Sequence, residues 1–334
     1  MAKQFKDTES FVKAAGEKYK LTAQQKQYLR ELAEKREKER AARKEKALKL
    51  LAALVIAAVV LFIIWQDFLK PKPTFPVEDK LVMHFIDVGQ GDCTFIAANG
   101  KTMLVDCGES EAAETVVAHL SALGVRHLDH IIATHPHSDH MGGMHTIIES
   151  FDVGEVIVPH IPDDQIPTTH FYEQFLDSCA AAKVPISEAA AGTEFELGDA
   201  HIEFVAPDGS HYDDLNNYSL SFVLTHGENT FLLTGDAEAE SEAAMLKSGR
   251  LDKVRLYKAG HHGSAHSSTK ELLEVIRPDV AVISCGSENP YGHPADSTVK
   301  RIRRYTRQIF RTDTSGSIIV ESDGRKLAVT TERS

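Results

Sequence analysis

Between Lys49 and Asp67 the chain reads LLAALVIAAVVLFIIWQ without a charge. A helix on a globular surface keeps a polar face, so a run that is apolar all round points to a membrane span. At about 1.5 Å per residue the run falls just short of a hydrocarbon core of about 30 Å. Leu48, a snorkelling Lys49, Phe68 and Leu69 make up the length, and Trp65 sits at an interfacial position. The pattern predicts one transmembrane helix over 48–69, a signal anchor rather than a cleaved leader. Upstream, Thr22-Ala23-Gln24-Gln25 has the spacing of a capping box, and no Gly or Pro follows before Lys49. That predicts a solvated helix in a segment over 1–47. Pro71, Pro73 and Pro76 predict a stiff linker over 70–79.

From Lys80 to the end, over 80–334, short apolar runs alternate with amphipathic stretches. LVMHFIDV (81–88) reads as a strand. CTFIAA and KTMLVD flank Asn99-Gly100, a strong hairpin signal. A helix pattern over 110–123 stops at Gly124. Strands are expected at 129–134, 155–159, 201–207, 254–260 and 280–286, with a hairpin over 219–235. Helices are expected near 170–182, 237–248, 268–277 and 296–306, and three short strands close the chain. Early hairpins followed by alternating strands and helices favour a layered α/β domain over a helical bundle.

Charge divides the chain at the same place. Residues 1–70 carry 16 Lys+Arg and 9 Asp+Glu, and residues 71–334 carry 21 and 40, net +7 and −19. Fifteen basic residues precede the apolar run, so the positive-inside bias puts the N-terminus in the cytoplasm and the domain outside the cell. Four cysteines in 334 residues exclude a disulfide-dense scaffold. Cys93 and Cys107 lie on opposite hairpin arms but diagonally, so buried free thiols are expected.

All 17 histidines lie beyond the apolar run. Directly after DHIIAT comes Thr134-His135-Pro136-His137-Ser138-Asp139-His140. His135 and His137 are two apart, so an extended segment aims both rings to one side. Asp139 and His140 continue along the turn towards a second position. Neutral imidazole and carboxylate are ligands for divalent ions such as zinc or manganese.

THPHSDHMGG resembles the THxHxDH motif of the metallo-β-lactamase superfamily. The resemblance implies an αββα sandwich with one or two divalent ions at the edge of two sheets. It implies that His135, His137 and Asp236 hold a first ion. Asp139, His140, Asp236 and His261 would hold a second, with Asp236 bridging, and Asp106 in LVDCG would brace the metal loop. FIDVGQGD (85–92), NNYSL (216–220), GHHGS (260–264), NPYGHP (289–294) and RTD (311–313) look like the C-terminal domain of ComEC-type competence proteins. Those proteins import transforming DNA, and their outer domain is thought to be a nuclease. Phosphorylcholine esterases of bacterial surfaces share much of the pattern. Two departures stand out. The chain has one apolar span where ComEC proteins have many. A third histidine of the first ion would fall near Asn216–Asn217, where Asn is the weaker ligand and His211 a nearby substitute.

The mechanism implied is attack by a metal-activated water. Asp139 is a candidate to take its proton, and His262 and His293 to stabilise an oxyanion or protonate the leaving group. Ser264, Asn289 and Asn217 are candidates to bind a phosphate oxygen. A phosphodiester is the expected substrate, with DNA a candidate, and competence or cell-surface proteins are candidate partners. The net −19 counts against tight nucleic-acid binding, although Lys300, Arg301, Arg303, Arg304, Arg307 and Arg311 form a local basic patch. The alternatives are hydrolysis of a small or cell-wall ester such as phosphorylcholine or a lactone, and a non-catalytic binding protein that keeps the fold.

Overall fold

Polar start signals and apolar runs sort the chain into two compact units, Met1–Pro71 and Lys72–Ser334. The structure is a computed structural model that describes residues 8–64 and 80–333. In the first unit, helix α1 spans Thr8–Tyr19 and α2 spans Ala23–Ile64. Glu9 in the first turn and Lys18 in the last complement the macrodipole of α1. Sequence reading passes over α1 because Gly16 breaks its pattern. The capping box is formed as expected. Thr22 N–H donates to Gln25 Oε1 at 2.9 Å, and Gln25 N–H donates to Thr22 Oγ1 at 3.3 Å.

α2 then runs unbroken into the apolar stretch, and the described side chains from Leu50 to Phe62 are exposed. The expected span over 48–69 needs correcting. Among the described residues no helix is long and apolar enough to cross a membrane. The described apolar stretch ends at Ile64, and extending it backwards brings in Lys49, Lys46 and Glu45. Residues 65–69 and the whole 70–79 linker lie outside the described residues.

The second unit is two sheets built alike. In the first half, β1 (Leu81–Phe85), β2 (Thr94–Ala98) and β3 (Lys101–Val105) pair antiparallel. β4 (His127–Ile132), β5 (Asp152–Pro159) and β6 (Ile186–Ala189) then add in parallel. The β2–β3 turn has Asn99 and Gly100 at φ 43° and 78°, the left-handed pair that a two-residue hairpin requires. In the second half, β7 (Glu194–Leu197), β8 (Ala200–Ala206), β9 (Ser221–His226) and β10 (Asn229–Leu233) pair antiparallel. β11 (Leu256–Lys258), β12 (Val280–Ile283) and β13 (Gln308–Arg311) follow in parallel. The chain then crosses back to the first sheet, where β14 (Ile318–Ser322) pairs with β1 and β15 (Leu327–Thr331) pairs with β14 at the edge. β6 and β7 have four residues each and are half exposed, too short for alternation to show in the sequence.

Helices cover both outer faces. α3 (Ala113–Ala122), the one-turn α4 (Ser138–Met141), α5 (Met144–Ser150) and α6 (His170–Ala182) go with the first sheet. α7 (Ala239–Ser248), α8 (Lys270–Ile276), α9 (Asp296–Ile302) and α10 (Thr312–Ser315) go with the second. Leu81, Met83 and Phe85 of β1 face Phe204, Phe222 and Leu233 across the central core. Val82 and Phe95 face Val116, Leu120 and Phe175 on one outside, and Tyr257 and Ala281 face Leu272 and Ile302 on the other. Strands buried on both faces read as continuous apolar runs rather than alternating ones. The αββα sandwich expected from the resemblance is therefore the architecture found. Cys93, Cys107, Cys179 and Cys285 are buried and free.

Candidate metal centre

Ligands of parallel α/β sheets gather beyond the carboxyl ends of the strands, and the chemistry-bearing residues follow that rule here. Asp106 follows β3, the 135–140 loop follows β4, Asp236 follows β10, His261 and His262 follow β11, and the loop ending at His293 follows β12. The two sheets bring these edges together around a cleft of about 470 Å³, lined by His137, Asp139, Asp236, His261, His262 and His293 among others.

Asp106 is the brace. Its φ of 57° turns the carboxylate beneath the next loop. Oδ1 accepts from the Thr134 N–H at 2.8 Å, and Oδ2 accepts from the Thr134 hydroxyl at 2.7 Å and from His140 Nδ1 at 2.7 Å. A carboxylate can only accept, so His140 carries its proton on Nδ1 and turns Nε2 inward. His262 is fixed the same way, with Nδ1 against the Ser284 carbonyl at 3.1 Å. Its Nε2 stands 3.0 Å from Asp139 Oδ2 and 3.4 Å from Asp236 Oδ2. His140 Nε2 stands 3.2 Å from the same Asp236 oxygen.

As neutral rings, both imidazoles would turn lone pairs onto carboxylate oxygens. That arrangement is favourable only with positive charge between them. The direction of titration agrees. Burial opposes protonation of both rings, yet the carboxylates of Asp236, Asp106 and Asp139 raise His140 well above the ordinary imidazole range, and Asp236 and Asp139 do the same to His262. Burial would raise the Asp139 carboxyl, but His140 and His262 hold it down to about 2, and the same two rings hold the buried Asp236 well below the ordinary carboxylate range. His140 Nε2 and Asp236 Oδ1 are buried without a hydrogen-bond partner. The ligand atoms of Asp139, His140, Asp236 and His262 lie within 4.8 Å of one another. Two carboxylates and two imidazoles at that spacing fit a divalent ion.

Not every expected residue stands where sequence reasoning put it. His261, expected in the second ion's set, is at the rim of this cluster. Its Nδ1 meets Glu238 Oε1 at 2.8 Å and its Nε2 is 3.8 Å from Asp236 Oδ2. His262, expected as a proton donor, takes the inner place. His261 and His262 both have left-handed backbones, φ 46° and 51°, a strained pairing of the kind found at functional sites.

His135 and His137 do come together, with Nε2 and Nδ1 at 3.0 Å. His135 Nδ1 is 3.3 Å from the Ser219 hydroxyl, which also accepts the Asp236 N–H at 3.0 Å. Burial and the nearby His140 charge keep His135 neutral. Asn216 lines the cleft with a buried, unpartnered Oδ1. His211 is exposed, its ring 3.5 Å from the Tyr218 hydroxyl, and it does not line the cleft.

The expected phosphate binders have structural occupations. Asn217 Oδ1 accepts from the N–H groups of Glu238 and Ser241 at the start of α7. Ser264 Oγ accepts from the His266 N–H at 3.2 Å. Asn289 Nδ2 donates to the carbonyls of Gly286 and His293, and its Oδ1 accepts the His293 N–H. None of the three lines the cleft. His293 does, with an unpartnered Nδ1 and a pKa lowered by burial and by His261 and His262.

Half of the basic patch is spoken for, while Arg303, Arg304 and Arg307 are exposed. Arg301 donates to the carbonyls of Ala265, Ser267 and Ser268, Arg311 pairs with Asp313, and Lys300 lies 3.8 Å from Asp296. Sequence reasoning missed a buried ion pair beneath the cluster, Lys258 with Asp92. Lys258 Nζ also donates to the Gly235 carbonyl at 3.4 Å, and Asp92 Oδ1 is 3.6 Å from His262 Nδ1. A lysine inside the apolar strand VRLYKAG was the available signal.

Residues 86–287 match the family described as the metallo-beta-lactamase superfamily. The chain belongs to that superfamily. Its relatives include Recombination protein 2 of Haemophilus influenzae, 32% identical over 254 residues, which are 75% of this chain and 29% of that protein. ComE operon protein 3 of Bacillus subtilis is 28% identical over 255 residues, 70% of this chain and 32% of that one. Competence protein ComA of Neisseria gonorrhoeae is 29% identical over 253 residues, 75% and 34% respectively. The chain thus spans about a third of the length of the curated relatives it matches, and the ComEC-type resemblance of its superfamily domain holds.

Proposed function

We propose that this chain is a metal-dependent phosphodiesterase held at a membrane, with single-stranded DNA a candidate substrate. The observation that carries the metal chemistry is the inward turn of His140 Nε2 and His262 Nε2 onto the carboxylates of Asp139 and Asp236. A divalent ion bound by these residues would bring the pKa of a coordinated water from about 15.7 towards 7 and polarise a phosphoryl oxygen. His135 and His137 are the candidates to hold a second ion beside Asp236.

The chain's own groups then have separable tasks. Asp106 and Ser284 orient the two inner rings. Asp139, held to about 2, stays ionised and anchors charge, which makes it a weak proton acceptor. His293 is neutral near pH 7, still carries one N–H, and lines the cleft, so it suits donation to a developing oxyanion or leaving oxygen. The relatives named for competence and recombination favour a phosphodiester over a lactone or phosphorylcholine. Attachment to a membrane rests on the uncharged, exposed end of α2 and the basic stretch before it.

The test is bound metal per chain by elemental analysis, followed by turnover of single-stranded DNA, bis-p-nitrophenyl phosphate and nitrocefin with Mn²⁺ or Zn²⁺. The expected result is metal-dependent cleavage of the first two, lost in Asp139→Ala, and none of nitrocefin. Bound metal without turnover of any substrate would favour the binding-protein reading. Recovery of the full chain in the salt-washed soluble fraction would refute membrane attachment.

A further inference from the structure

The cleft beside the ligand cluster lacks the lysines and arginines expected of a groove that tracks a phosphate backbone. Among the described residues its lining includes none, and residues 71–334 carry 21 Lys+Arg against 40 Asp+Glu. What it offers instead is aromatic. Tyr291 lines this cleft and is 69% exposed, so a face of its ring is open to a partner. Its ring stacks on His293 at 5.8 Å and 27°, and His293 meets His261 edge-on at 5.2 Å. The rings form a ladder from the rim down to the cluster. Phe171 and Leu215 line the same cleft.

The loop that carries the outer ring is pinned at both ends by hydrogen bonds. Asn289 clamps it through Gly286 and His293, and Gly286 N–H donates to Gln90 Oε1 at 3.1 Å. An aromatic ring held out by such a loop loses little freedom on binding a flat partner.

The geometry points to a stacking subsite at Tyr291 for a planar base next to the scissile phosphate. The substrate class is then a single-stranded or terminal nucleotide, whose unpaired base can lie on the ring, rather than duplex. This rests on the phosphodiesterase reading and adds how the substrate is recognised. Base–aromatic stacking suits strands of mixed sequence because every base has a π-face.

The test uses the full-length, Mn²⁺-loaded chain and two fluorescent single-stranded oligonucleotides of equal length, one with bases and one abasic. Binding is read by anisotropy and cleavage by gel. The wild type should prefer the base-bearing strand by about fivefold to a hundredfold, the range expected for one stacked base. Tyr291→Phe should keep that preference, and Tyr291→Ala should bring it close to parity. A preference that survives in Tyr291→Ala, or a wild type that binds both strands alike or neither, overturns the subsite. Metal-dependent cleavage without Tyr291-dependent preference would leave the phosphodiesterase reading standing and remove this one. Tyr291-dependent binding without cleavage would do the reverse.

Discussion

Two groups of histidines, one buried and one partly so, sit in the same domain and behave oppositely. At the cleft, His140 and His262 are ringed by Asp106, Asp139 and Asp236, and those carboxylates overcome burial and favour the charged ring. On the outer face of the first sheet, His84 of β1 meets His119 of α3, Nδ1 to Nε2, at 3.1 Å. There burial dominates and His119 adds to it, so His84 is lowered to about 4. His119 is lowered too, by burial that Glu332 only partly offsets. Burial is common to both groups, so it does not make a cation site. A cation site needs carboxylates turned onto the inward nitrogens, with the outward nitrogens already occupied.

The contrast is broken most directly by removing the shared carboxylate. Asp236→Ala should abolish stoichiometric metal binding and lower metal-dependent turnover by about a thousandfold or more, measured by elemental analysis and steady-state kinetics, because catalysis depends on the ion the site holds. If metal content survives, Asp236 is not a ligand and the central contrast fails.

The opposite prediction belongs to His84. Its folded pKa of about 4 lies below its ordinary 6.5, so the unfolded chain binds a proton that the folded chain refuses. Stability from this group is present above pH 6.5 and is lost as pH falls towards 4, on the order of 3 kcal/mol in all. Chemical denaturation at pH 7.5 and pH 4.5 should show a smaller acid loss in His84→Phe than in wild type. An equal loss in both would mean that the pair does not titrate as described.

A milder perturbation separates bracing from ligation. Asp106→Asn keeps shape but removes the charge that fixes the His140 tautomer, and metal affinity should fall by about 10- to 100-fold. Competition with a chromophoric chelator reads this without any turnover. Glu238→Gln should have the smallest effect, about fivefold or less, because its pair with His261 is partly exposed and at the rim. If Glu238→Gln cost more than Asp106→Asn, His261 rather than His262 would be the inner ligand.

Much of this domain can be read along the chain. Asn99-Gly100 announced its hairpin because only residues tolerant of left-handed backbone make that turn. The helix over 170–182 was legible to the residue. H-x-H-x-D-H pointed to the cleft because four potential ligands directly after an apolar strand are rare, and two of them, Asp139 and His140, belong to the ligand cluster. The capping box over 22–25 was equally local. α1, β6 and β7 were not legible, since Gly16 interrupts the first and the two strands are too short to show a period.

What only the tertiary structure decided is the use of each site residue. His261 and His262 are neighbours with the same chemistry, and the fold gives His261 to Glu238 and His262 to Asp139, with Asp236 Oδ2 at 3.8 and 3.4 Å from their Nε2 atoms. Arg301 reads in the sequence as one member of a basic patch, and the fold turns it onto three carbonyls. Lys258 and Asp92 are 166 residues apart, and nothing along the chain says that they pair. Residue type, spacing and propensity are local and are written in the sequence. Orientation, burial and charge state depend on what arrives from elsewhere in the fold, and those properties decide whether an imidazole holds a cation or stays neutral.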